Sequence, residues 1–412
     1  MDMIPRSVGP RLIAALADTP AVMLVGPRQA GKSTLVQEIA REGHPARYLT
    51  LDDLATLGAA RRDPVGFVDA LDGPAVIDEI QREPDLLLPI KAAIDRDRRP
   101  GSFILTGSAQ VLLLPRVSES LAGRMEVHTL WPLSVRELRG SPDSFGARLF
   151  AAGSAETPPS PALSRPQLIE HVVAGGFPEA LAREGARRQE WFDAYLTTVA
   201  EREVRDLASI ERLSEVPSLL THIAARVRAP LNKSDLSGAL GVPRTSLDRY
   251  LTLLEHVFLV RALPAWHTST IKQLTKSPKL LVSDSGLLCR LLRATPERLE
   301  DDQVLLGVVA ECFAGMEILK QLDASVDDAS LFHLRTAKGD EIDFVVEDAG
   351  GRVAGLEVKT RATVRAEDFR HLELLRDRLG SRFARGVVLY TGGERLPFGD
   401  RLEAWPLSGL WA

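Results

Sequence analysis

A chain of 412 residues is too long for one compact core and has the length of two to four domains. Apolar residues make up 45% and charged residues 26%, and the formal net charge of −5 excludes a uniformly basic, polyanion-coating surface. The two cysteines, Cys289 and Cys312, exclude a disulfide framework and lack metal-ligand spacing, which points to a reducing compartment.

The N-terminal residues lack the apolar core of a secretory signal, and no run of about 18 uncharged apolar residues occurs. The expectation is a cytoplasmic protein with no membrane span. Residues 1–150 alternate short apolar runs with amphipathic stretches, the pattern of a parallel sheet covered by helices. Strands are expected at Ala21–Val25, Ala46–Leu51, Ala75–Ile77 and Ser102–Thr106, with helices at Lys32–Arg41 and Pro84–Asp95.

Between the first strand and the first helix stands Gly26-Pro27-Arg28-Gln29-Ala30-Gly31-Lys32-Ser33-Thr34, which fits G-x4-G-K-[ST] without a mismatch. Glycines let the backbone wrap phosphate oxygens, whose charge meets N–H groups at a helix start. Lys32 reaches the β- and γ-phosphates in this reading, and Ser33 is a ligand for Mg²⁺. The pattern therefore calls for ATP with Mg²⁺. Arg28 either contacts phosphate or is merely solvated.

The third core strand ends Ile77-Asp78-Glu79. Asp78 is placed to hold the Mg²⁺ through water, and Glu79 to polarise the attacking water. The next strand ends in Thr106-Gly107-Ser108, where Ser108, with Thr106 as the lesser candidate, senses the γ-phosphate or serves as a turn residue.

Residues 151–166 are Pro- and Ser-rich and read as a loop or linker. The helical stretch that follows, to about residue 212, places Trp191, Phe192, Tyr195, Leu196 and Val199 on one buried face. Residues 233–255 read as helix, turn at Gly241, helix, with Leu236, Leu240, Val242, Leu247 and Leu251 as the shared core. Arg244, Thr245 and Arg249 fall on the outer face of the second helix, as in a DNA-recognition helix. Phe258–Leu263 and Lys279–Ser283 are expected to pair as wing strands. From Arg226 to Lys279 there are nine basic residues and three acids, a local balance of +6. That segregation suits phosphate contact; a winged helix used for protein contacts, or packed as a lid, is the other reading.

From about residue 303 the chain returns to α/β character, with a helix at Leu305–Leu322, strands near Leu331–Arg335, Ile342–Glu347 and Val353–Val358, and a helix at Glu367–Leu379. Strand alternation puts Glu357 and Lys359 on one face, and Asp343 on the neighbouring strand can join them. This looks like the D…(D/E)-x-K constellation of restriction-endonuclease-like folds, in which two carboxylates hold Mg²⁺ and the lysine steadies water. Glu311, on the preceding helix, is the candidate additional acid. Such scaffolds need not cleave, and a silent domain is expected here.

Taken together, Gly26–Thr34, Ile77-Asp-Glu-Ile-Gln81, Leu105–Ser108, Leu121-Ala-Gly-Arg124, Leu130–Ser134 with Glu137, Gly175–Glu179, Ser277–Leu280, Asp284–Leu287 and Glu341…Glu357-Val-Lys359 resemble a bacterial and archaeal AAA+ ATPase family. In that family the ATPase precedes a C-terminal domain of unknown function. The resemblance implies a homo-oligomeric ring, a hexamer being one expected size, with ATP at subunit boundaries and an arginine supplied by the neighbour. Arg124 is the candidate and Arg116 the alternative; Arg124 pairing with a local carboxylate such as Glu137 is the plainer reading. The expected fold is an α/β P-loop AAA+ core (1–150), a linker or loop (151–166), a helical lid (167–212), a winged helix-turn-helix (213–302) and a restriction-endonuclease-like α/β domain (303–412). Two outputs stay open: DNA remodelling, or ATP-switched binding of a protein partner. An ATP-regulated nuclease is a variant of the first.

Overall fold

The computed structural model describes residues 4–107, 121, 123–141, 144–151, 161–199, 216–268, 276–326, 328–336 and 339–411. The chain divides into two compact units, one running to Pro132 and including His256–Phe258, the other comprising Leu133–Glu255 and Leu259 onward.

The first unit is built on five parallel strands: β1 (Ala21–Val25), β2 (Arg47–Thr50), β3 (Ala75–Asp78), β4 (Phe103–Gly107) and β5 (Met125–Thr129). Their order is β2-β3-β4-β1-β5. Strands β1, β3 and β4 are buried along their whole length. Their runs AVMLV, AVID and FILTG are apolar on both faces, as strands covered by helices require. These three and β2 lie where the sequence places them, to within a residue or two. Strand β5 is not anticipated: it is an edge strand whose MEVHT sequence buries His128 and leaves Val127 exposed, so its hydropathy does not mark it as a strand. The expected helix Lys32–Arg41 is α-helical over Lys32–Glu38 and continues as a π turn, Ile39–Gly43. The one expected at Pro84 opens with a 3₁₀ turn, Pro84–Leu86, before the helix Leu87–Arg96. All five strands run the same way, so their carboxyl ends share one edge, where ligands of such sheets bind.

The second unit begins earlier than the expected boundary near residue 150. Val135 N–H donates to Glu317 at 2.8 Å, and Phe145 N–H to Gln321 at 3.1 Å. Of the expected linker, residues 152–160 lie outside the described residues. Its last part is anchored: Leu163 N–H donates to Thr391 O, and Ser164 caps the helix Arg165–Ala174. The helix Gly185–Thr198 buries Phe192 and Tyr195, and the Phe177 ring lies 4.7 Å from Tyr195. Residues 200–215, the end of the expected lid and the first residues of the expected winged helix, also lie outside the described residues.

Helices Lys233–Leu240 and Arg244–His256 meet at Gly241, whose φ of 66° is the left-handed turn that glycine adopts without strain. Strands β6 (Val260–Leu263) and β7 (Lys279–Val282) pair antiparallel. Six further strands form a mixed sheet: β8 (Ala329–Arg335), β9 (Glu341–Asp348), β10 (Val353–Lys359), β11 (Phe383–Tyr390), β12 (Leu396–Pro397) and β13 (Leu402–Pro406). Their order is β12-β13-β11-β10-β9-β8. The largely buried helix Gln303–Ala324 packs on this sheet, where Phe344 abuts Gly315. Strands β11–β13 escaped the sequence reading. No helix among the described residues is long and apolar enough to cross a membrane.

Candidate active site

The phosphate-loop residues follow β1 at the carboxyl edge of the sheet. Gly26 has φ 153°, and a Cβ there would stand 2.1 Å from the Leu130 carbonyl oxygen. Only glycine fits that approach. Gly31 has φ 96° and opens the helix that begins at Lys32. Lys32 is 4% exposed, and its ammonium donates to the carbonyls of Gly26 and Pro27, both at 2.9 Å. It thus closes the loop on itself. Ser33 is half-buried at the helix start, and Thr34 is exposed beside it. Arg6, which the sequence reading missed, donates to Ala30 O at 2.7 Å and to Trp131 O at 2.6 Å. It braces the loop against the segment after β5.

Asp78 ends β3 and is 3% exposed. Tyr48, from adjacent β2, donates its hydroxyl to Asp78 Oδ2 at 2.7 Å, and Thr106, from β4, donates to Oδ1. Burial and the Asp78 carboxylate push the Tyr48 phenol up to about 12, so it stays protonated as a donor. Both donors are neutral hydroxyls, which orient the carboxylate without cancelling its charge. Thr106 also accepts from Glu79 N–H at 3.1 Å. Its place is that of a positioning group for the acid pair. Glu79 is held at φ 62°, ψ 44°, a left-handed conformation rare for a non-glycine residue, and Gln81 donates to its carboxylate. A strained backbone of this kind costs about 1–3 kcal/mol and is typical of functional positions. Among the described residues no group of three or more His, Cys, Asp or Glu side chains can hold a metal. One carboxylate and one hydroxyl, Asp78 and Ser33, would suit a magnesium ion that takes its other ligands from phosphates and water.

Ser108 and Arg116 lie outside the described residues. Arg124 closes on a local carboxylate, Asp95, at 2.5 Å, and the Glu137 carboxylate completes the capping box with Ser134. Asp95 is held below the usual carboxylate range by that hydrogen bond.

Arg244, Thr245 and Arg249 are exposed on the second helix of the helix-turn-helix. Three of the neighbouring cations pair with the three acids already in the +6 count, and two more share Glu311 from outside the counted segment, which lowers the balance further. Arg226 pairs with Asp235, Lys233 with Asp248, Arg261 with Glu255, and both Arg228 and Lys279 with Glu311. Counting residues along a segment cannot anticipate pairing with an acid more than thirty positions away.

The tail residues do converge. Lys359 Nζ lies 2.8 Å from Glu357 Oε2, and Val358 N–H donates to Asp343 at 2.9 Å. Burial, then the neighbouring Asp343, push Glu311 up to about 7 and Glu357 up to about 8. Burial alone would lower Lys359, but Glu357 and Asp343 outweigh it and the ammonium is raised.

Motifs far apart in sequence also meet. Asp284, fully buried, accepts from Gly176 N–H at 2.7 Å and from Leu287 N–H at 3.0 Å. The Gly175-Gly-Phe-Pro and Asp284-Ser-Gly-Leu stretches are thus two halves of one structural joint.

Family descriptions match three parts of the chain: an AAA domain over residues 18–139, a domain of unknown function (DUF8612) over 165–298, and a domain of unknown function (DUF4143) over 306–410. The uncharacterized proteins Rv2008c of Mycobacterium tuberculosis and Mb2031c of Mycobacterium bovis are each 32% identical over 407 residues, covering 98% of this chain and 84% of theirs. Among solved structures, a point variant of RuvB from Thermotoga maritima is 21% identical, covers 62% of this chain and 89% of its own, and gives a TM-score of 0.30. AMPPCP-bound DnaA from Aquifex aeolicus is 13% identical, with 60% and 86% covered and a TM-score of 0.25. Superpositions this loose carry no functional reading. With the AAA domain and the C-terminal domain in the expected order, and relatives similar over nearly the whole chain, the protein belongs to the family of AAA-type ATPases that end in a domain of unknown function.

Proposed function

We propose that the first unit hydrolyses ATP with Mg²⁺ at the edge formed by β1, β3 and β4. The observation that carries this reading is the alignment of Asp78 by Tyr48 and Thr106 on a sheet whose phosphate loop is braced by Arg6. Lys32 meets the β- and γ-phosphates, and the backbone N–H groups of Gly31–Thr34 cradle them. Ser33 and Asp78 hold the metal, which screens phosphate charge when bound. Glu79 orients and polarises the attacking water, and Gln81 steadies its carboxylate. Ser108 remains the proposed γ-phosphate sensor. Arg124 serves the neighbouring subunit's site in a ring, exchanging Asp95 for phosphate. The lid, winged-helix and restriction-endonuclease-like assignments of the later residues belong to this reading.

The output we infer is DNA binding or remodelling through Arg244, Thr245 and Arg249, the exposed face of the second helix. The internal pairing of the neighbouring cations favours a second reading, in which that face docks a protein partner under ATP control. Binding to duplex DNA across a salt series separates the two. Arg244→Ala with Arg249→Ala is expected to weaken binding and to lower the slope of log affinity against log salt by about one per lost contact. Unchanged affinity and slope, with ATPase intact, would remove this helix from any DNA interface.

A further inference from the structure

Two acids of the tail, Glu311 and Glu341, close on a buried lysine. Lys279, from β7, is 1% exposed, and its ammonium lies 3.2 Å from Glu311 Oε1 and 2.7 Å from Glu341 Oε1. The other Glu311 oxygen accepts from Arg228 at 2.7 Å. Asp343 accepts from the Val358 amide and Glu357 from Lys359. A divalent cation needs several oxygens turned to one point at about 2.1 Å. Here each acid commits an oxygen to a different donor, and among the described residues no metal-holding group forms. As they stand, these residues do not fit a metal ion. A buried ammonium, by contrast, is sustained only by carboxylates gathered around it.

The same segment is fastened to the sheet at a second place. Trp266 N–H donates to His333 O at 2.6 Å, His333 N–H to Pro264 O at 3.0 Å, and the Trp266 indole to Glu347 at 2.9 Å. The residues after β6 therefore run along edge strand β8, and Lys279 on β7 meets acids on β9 and on the helix Gln303–Ala324.

We propose that Lys279, seated by Arg228, is the resident cation of this cluster: it stands where a metal would, keeps the C-terminal domain from cleaving phosphodiesters, and locks the helix-turn-helix segment to the C-terminal sheet. The metal half rests on the restriction-endonuclease-like reading of Asp343, Glu357 and Lys359; the lock rests on the contacts alone.

The test is titration of the full-length, nucleotide-free protein with Mn²⁺ alone, read by the electron spin resonance of unbound Mn²⁺. Wild type and Asp343→Asn are expected to bind the same amount. Lys279→Met is expected to gain a site that Asp343→Asn then removes. A wild-type site lost in Asp343→Asn would overturn the proposal, and so would a folded Lys279→Met with no gain. Melting temperature reads the lock. Lys279→Met is expected to melt lower, because it leaves buried carboxylates uncompensated, and adding Glu311→Gln should recover part of the loss. An unchanged melting temperature in Lys279→Met would overturn the lock. If Lys279→Met does not fold, the wild-type comparison and the double variant still decide. ATPase rate measured on the same wild-type sample keeps a failure of the ATPase reading distinct from a failure of this one.

Discussion

Tyr48→Phe removes one hydroxyl and leaves the ring, so it isolates the bond to Asp78. A hydrogen bond to a charged group is worth about 1.5–3 kcal/mol, and Tyr48 is only half-buried, so solvent recovers part of it. About 1–2 kcal/mol remains as the cost of letting the carboxylate turn on its Thr106 anchor. If Asp78 holds the metal, that cost falls on the metal-bound state and amounts to about a 5- to 30-fold loss of kcat/KM for Mg-ATP. Steady-state phosphate release over a Mg²⁺ series is the assay, with metal-free nucleotide binding as the control. The half-saturating Mg²⁺ concentration should rise while metal-free affinity holds. The pH dependence has a definite sign. The folded phenol titrates near 12, above its ordinary 10.0, so its stabilising effect is complete below pH 10 and is lost as pH rises through 12. Between pH 7 and 9 the ratio of wild-type to Tyr48→Phe activity should therefore stay constant. An unaltered Mg²⁺ dependence in Tyr48→Phe would show that the Tyr48 hydroxyl does not align a metal-holding Asp78.

Gly26→Ala places a Cβ 2.1 Å from the Leu130 carbonyl and adds about 1–3 kcal/mol of backbone strain at φ 153°. The loop should be displaced, and nucleotide affinity measured by calorimetry should collapse. Arg124→Ala breaks a partly exposed pair with Asp95, so the melting temperature should hardly move while turnover falls and ATP affinity stays. Mixing it with Lys32→Ala should restore some activity if Arg124 acts across a boundary; none recovered in a verified mixed assembly would count against that role.

What the sequence made legible is what chemistry ties to fixed spacing. Gly26, Gly31, Lys32 and Asp78 could be named because a phosphate loop and an acid-tipped strand tolerate few substitutes. Tyr48 could not, since it reaches Asp78 only because β2 lies beside β3. Arg6 could not, since its second partner is 125 positions away. A long apolar stretch made the helix legible as Leu305–Leu322, within Gln303–Ala324, whereas β5 hid because its edge position buries His128 and exposes Val127. The tail acids were found by strand alternation, but Lys279 was counted as a surface cation until the fold brought Glu311 and Glu341 around it.

In the proposed function, one loop and one acid pair bind and split ATP. Phosphate release and retained nucleotide, measured side by side in wild type, Lys32→Ala and Glu79→Gln, test it most directly. Wild type should turn over, Lys32→Ala should retain no nucleotide, and Glu79→Gln should keep ATP bound and unhydrolysed. Glu79→Gln releasing phosphate at the wild-type rate, or Lys32→Ala binding ATP as wild type does, would contradict the account.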